Sequence, residues 1–137
     1  MSGAACELVA RCFAARTSIH LAHLTTGSYA QHVAMGDFYD AVASGADEFF
    51  ECWQGIYGKR DVKDFPNIRV ATGDPVTQLS DLRTWIAANR EEACESYDDK
   101  DAEGAESNDV DCTELANLLD NVLAVIDRTI YKLKFLA

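Results

Sequence analysis

The sequence is poor in positive charge: 12 Lys and Arg stand against 23 Asp and Glu, giving a formal net charge of -11. A surface of that sign repels phosphates instead of neutralising them, which argues against direct nucleic-acid binding by this chain. No stretch reaches the roughly 18 apolar residues of a membrane span, so no contact with the membrane interior is expected. The opening, MSGAACELVARCFAARTS, lacks a basic start followed by a continuous apolar run. It reads as a soluble, cytoplasmic chain without an export signal. No CxxC occurs, and the five cysteines, Cys6, Cys12, Cys52, Cys94 and Cys112, are odd in number and scattered. Neither a zinc knuckle nor a disulfide framework is suggested, and reduced thiols are expected. There is almost no period-2 alternation of apolar residues, no Glu-x-x-His, and no D-x-D-x-D-G calcium register. These gaps argue against a sheet architecture, a di-iron centre inside one bundle, and an EF-hand-like loop.

What is present is helical periodicity over a length of 137 residues, one domain's worth. Punctuation falls at TTGS (25–28), GKRDVKDFPNIRVATGDP (58–75) and YDDKDAEGAESNDVD (97–111). Four amphipathic segments lie between. The first, about residues 4–24, places Leu8, Val9, Cys12, Phe13 and Ile19 on one stripe. The second opens at Ser28, a good N-cap, and carries Met35, Phe38, Tyr39, Val42, Ala46, Phe49, Phe50, Trp53, Ile56 and Tyr57 in one sector. Asp74-Pro75, an N-cap followed by a first-turn proline, announces the third, which runs through Leu79, Leu82, Trp85 and Ile86 and fades near Ser96. The last begins at Asp111, with Glu114 in capping-box register, and repeats Leu115, Leu118, Leu119, Val122, Leu123, Ile126, Ile130 and Leu133.

The fold expected is all-α, a four-helix bundle. The link after helix 1 is a few residues, whereas the one between helices 2 and 3 is about 17, able to reach about 55 Å if extended. That suffices for a full-length crossover of the ferritin-like kind, and a loose surface loop accounts for the length equally well. The acidic stretch 97–111 is read as an exposed linker.

Every histidine in the chain, His20, His23 and His32, falls between the end of helix 1 and the start of helix 2. On helix 2, Asp40, Asp47 and Glu51 form a stripe more than about 100° from the apolar centre, with His32 and Gly36 completing that side. The acids therefore face away from the chain's own core. His23 lies near the middle of the helix 1 apolar stripe and His20 to its side. One reading makes His20, His23, His32, Asp47 and Glu51 a metal site; the other makes the histidines packing residues and the acids a solvated face. A site using all five needs a second copy of the chain.

The run HLAHLTTGSYAQHVAMGDFYDAVASGADEFFE (20–51) resembles the helix A to helix B signature of the Dps branch of the ferritin-like superfamily, the mini-ferritins. His20 and His32 stand twelve residues apart, and Asp47 and Glu51 follow at fifteen and nineteen, as that signature has them. The signature's middle aspartate corresponds to Gly36, and the lysine-rich tail that binds DNA is absent. Residues 23–40 also match a pattern found in small Dps-like proteins of tailed bacteriophages, H-L-x-T-x-S-(F/Y)-A-x-H-x-A-(L/M)-G-x-F-Y-D, in which His23 competes with His20 as the first ligand. The resemblance covers about residues 16–58. It implies a ferritin-like homo-oligomer that binds iron, or zinc, between subunits and oxidises iron with peroxide or oxygen. In that case the histidines are imidazole ligands and Asp47 and Glu51 oxygen ligands, in the cytoplasm of a bacterial host. A second reading is a non-enzymatic structural or interaction protein of a phage particle or infected cell. A third, an acidic nucleic-acid mimic acting on a host factor, rests on net charge alone.

Overall fold

The computed structural model describes residues 3–95 and 112–137. These form four α-helices, α1 (Ala4–Thr25), α2 (Tyr29–Tyr57), α3 (Pro75–Cys94) and α4 (Thr113–Phe135), with one 3₁₀ turn at Val62–Asp64. Among the described residues there is no strand, and no helix is long and apolar enough to cross a membrane. The acidic linker read from the sequence at 97–111 lies outside the described residues.

Local chemistry sets most helix ends. The Ser28 hydroxyl accepts from the Gln31 amide at 3.2 Å, and the Asp74 carboxylate accepts from the Thr77 amide at 2.9 Å with Pro75 in the first turn. α2 stops at Gly58, whose φ of 107° suits glycine and whose amide donates to the Gln54 carbonyl at 2.8 Å. At α4 the sequence pointed to Asp111 as the cap; the cap position is Cys112, whose side chain makes no capping bond. Asp111 itself lies outside the described residues.

Each neighbouring pair of helices runs antiparallel. α1 packs on α2 and α3, and α4 on the same two, leaving α1/α4 and α2/α3 on the diagonals. On the α1–α3 side, Arg11 stacks over Trp85 at 4.6 Å while Ser18 donates to Gln78 at 2.7 Å. On the α3–α4 side, Arg83 meets Asp127 at 2.6 Å and Arg90 meets Asp120 at 2.7 Å. Between α2 and α4, Lys132 reaches Asp37 at 3.7 Å, and Gly45 faces Val122. α2 and α3 are parallel, because their C-terminal ends meet: the Tyr57 hydroxyl donates to the Cys94 carbonyl at 2.6 Å. Residues 58–74 therefore travel the length of α3, about 30 Å, well inside their reach. Of the two roles the sequence left open for this connection, it takes the full-length crossover. Phe65 anchors it, its ring 5.0 Å from that of Phe50.

The core takes the apolar face of every helix, with Leu8, Ile19, Met35, Phe38, Phe49, Trp53, Leu79, Ile86, Leu115, Leu119 and Ile126 buried. Phe13 departs from expectation. It sits on the stripe by angle, yet is 41 % exposed, because it borders the groove between α1, α2 and the crossover instead of facing another helix. His23, expected near the middle of its stripe, is half-buried.

Candidate functional site

The corner between α1 and α2 is only Thr26–Ser28 long. It is pinned by the Thr26 hydroxyl, which donates to the Gln31 side chain at 2.7 Å and accepts from the Ser28 amide at 3.2 Å. This tight turn brings His23 and His32 face to face. His23 Nδ1 donates to the His32 carbonyl, and His32 Nδ1 donates to the His23 carbonyl at 2.9 Å. A carbonyl oxygen can only accept, so each Nδ1 carries its proton and a neutral ring keeps its lone pair on Nε2. The two rings stack with centroids 3.8 Å apart and planes 17° from parallel.

A second layer lies beside them. His20 stacks on Tyr39 at 3.9 Å, and His23 meets both rings edge-on, His20 at 5.8 Å and Tyr39 at 5.3 Å. All three histidines thus belong to one aromatic cluster, in which Tyr39 is the member that sequence spacing assigned to the core. Gly36 makes the cluster fit. A Cβ there would stand 3.0 Å from His23 Cε1 and 3.3 Å from its Nδ1. The position where the Dps signature has an aspartate is therefore the floor under the His23 ring.

Asp47 and Glu51 are exposed on α2. They follow His32 by fifteen and nineteen residues, about 22 and 28 Å along the axis. One chain therefore gathers the histidines at one end and leaves the acids midway along the bundle. Among the described residues no three His, Cys, Asp or Glu side chains come together as a group able to hold a metal ion. The acids instead edge a groove of about 620 Å³ whose apolar walls include Phe13, Phe50, Phe65 and Ile68.

The histidine end of the molecule also exposes apolar surface. Leu21, Leu24, Tyr29 and Val33 are 42–82 % exposed around the corner. Tyr131, Phe135 and Leu136 of α4, also exposed, lie at the same end, where Lys132 meets Asp37.

Residues 23–133 match the model of a family of unknown function (DUF5856). His23, His32, Gly36, Asp47 and Glu51 fall within the matched span, and His20 outside it. No curated protein and no solved structure matches the chain.

Proposed function

We propose that this chain, which belongs to the family of unknown function DUF5856, is a ferritin-like helical protein that self-associates and holds iron where two copies meet. Support for the ferritin-like reading comes from the single long crossover, which joins two parallel helices on a diagonal and leaves every adjacent pair antiparallel. Support for self-association comes from the apolar surface at the histidine end.

The observation that carries the metal reading is the tethering of His23 and His32 through Nδ1. A ligating histidine donates its other ring N–H to a carbonyl or carboxylate, which fixes ring and tautomer and frees Nε2 for the metal. In this reading His20, His23 and His32 of one copy offer imidazole nitrogens, and Asp47 and Glu51 of another offer carboxylate oxygens, a mixed set suited to Fe(II) that also stabilises Fe(III). Iron held there supplies electrons to peroxide or dioxygen. The stacked Tyr39 ring holds His20 in place beside the pair.

A second reading is favoured by the same bonds: they account for His23 and His32 as the lock of the α1–α2 corner, with Gly36 shaped for packing and not for ligation. The protein is then a non-enzymatic structural or interaction protein of a phage particle or infected bacterium. Light scattering gives the size of the assembly, and absorbance after anaerobic Fe(II) addition and then peroxide follows oxidation. Oligomers whose oxidation is lost in both His32→Ala and Glu51→Ala support the iron reading. Oligomers that bind no iron support the second, and a monomer removes the shared site.

A further inference from the structure

We infer that Cys94 and Cys112 are a redox-active pair that closes to an intramolecular disulfide, tying the end of α3 to the start of α4. The two residues lie on either side of a long connection yet meet in space. Cys112 Sγ is 3.2 Å from the Cys94 carbonyl oxygen, to which its S–H donates. The Tyr57 hydroxyl, bound to that same carbonyl at 2.6 Å, stands 3.8 Å from Cys112 Sγ. Cys112 Sγ is thus in contact with the Cys94 backbone, and a disulfide between the two residues places their Cα atoms roughly 4.4–6.8 Å apart. The end of α3 is held independently of the cysteine side chains, since Trp53 and Tyr57 of α2 bond to the backbone of Glu95 and Cys94. Cys94 is therefore positioned by the bundle, with Cys112 Sγ against its carbonyl. Sequence arithmetic missed it because eighteen positions separate the two residues and neither belongs to a recognisable spacing.

The two thiols differ in access. Cys94 is buried, and burial, with the nearby Cys112 sulfur second, pushes its thiol up to about 11. Cys112 is half-buried. Cys112 is accordingly the entry point for a low-molecular-weight disulfide. Its thiolate attacks one sulfur of the oxidant, forming a mixed disulfide and expelling one thiolate. The Cys94 thiolate then attacks Cys112 Sγ, forming the Cys94–Cys112 bond and expelling the second. Two electrons pass from the protein dithiol to the oxidant, and the two cysteine protons end on the two released thiols. Because Cys94 is so little ionised near neutrality, the second step is the slow one. It accelerates by about tenfold per pH unit below that value.

The test treats the full-length protein with oxidised glutathione and follows it by intact mass and by peptide mapping without reduction. The expected course is a transient glutathione adduct on Cys112 that converts to a Cys94–Cys112 linkage, faster as pH rises, with a gain in Tm on the order of 10 °C that dithiothreitol reverses. In Cys94→Ser the Cys112 adduct persists. Should that buried substitution prevent folding, Cys112→Ser, at a half-buried position, must abolish both the linkage and the Tm gain. A wild-type adduct that persists on Cys112 with Cys94 unreacted at about pH 9, or a linkage mapped to any other pair, overturns the inference. It stands apart from the iron reading and is measured without metal.

Discussion

Replacing Gly36 by alanine separates two effects of opposite sign. Gly36 lies well inside α2, where alanine is favoured over glycine by about 1 kcal/mol. The added Cβ, however, would stand 3.0 Å from His23 Cε1, so the ring must give way by a few tenths of an ångström. Shifting it weakens the bond from His23 Nδ1 to the His32 carbonyl, about 0.5–1 kcal/mol at this solvent-accessible corner, and the His23–His32 stack, about 0.5–1 kcal/mol, while the bond from His32 Nδ1 to the His23 backbone carbonyl stays. Gly36→Ala is therefore neutral to destabilising, by up to about 1 kcal/mol. With His23→Ala already in place the ring is gone, and the same substitution stabilises by about 1 kcal/mol. Urea unfolding of the four proteins of this cycle, followed by circular dichroism, should give a coupling of roughly 1–2 kcal/mol, with Gly36→Ala stabilising only once the ring is gone. A stabilising Gly36→Ala in the presence of His23, or a coupling under about 0.5 kcal/mol, refutes the packing assigned to the cluster.

Other perturbations probe the frame around it. Cys12 is fully buried, and burial pushes its thiol from 9.0 up to about 12. Folding thus favours the protonated form, so this contribution is whole below about pH 9 and is lost at about 1.4 kcal/mol per pH unit as pH rises towards the folded value. Urea unfolding at about pH 8 and about pH 10 should show Cys12→Ala losing less stability over that interval than the wild type. Asp74→Ala removes the cap that receives both the Thr77 amide at 2.9 Å and its hydroxyl at 3.0 Å; thermal unfolding should register about 1 kcal/mol. Leu119→Ala, at a fully buried site facing the other three helices' core, should cost about 2–5 kcal/mol by urea unfolding.

Much of this architecture was legible because it is written locally. Ser28, Asp74-Pro75 and Gly58 each act on backbone groups within four residues, so sequence reading placed three helix ends correctly. The 58–74 connection was legible as a length, but its path was not, since the ring contact of Phe65 with Phe50 and the meeting of Tyr57 with Cys94 are long-range. The helical wheel put Asp47 and Glu51 on an outward face, and they are exposed. The same wheel misjudged Phe13, because angle alone cannot tell a helix neighbour from a groove. At Gly36 the sequence recorded an aspartate missing from a signature. In the structure a Cβ at that position would stand 3.0 Å from the His23 ring. The pairing of His23 with His32, and of His20 with Tyr39, depends on how two helices meet at a three-residue corner, which no periodicity encodes.

The central claim is that the histidines of one copy and the acids of another make one metal site. It is tested most directly by unfolding His32→Ala and Glu51→Ala chains together, refolding the mixture, and measuring bound Fe(II) by anaerobic equilibrium dialysis. Each mixed pair then contains one site with all its ligands and one lacking both groups. The account predicts that neither variant alone retains iron, while the mixture, in which about half the pairs are mixed by chance, binds about a quarter as much per chain as the wild type. A mixture that binds no more than the average of its two parents contradicts it.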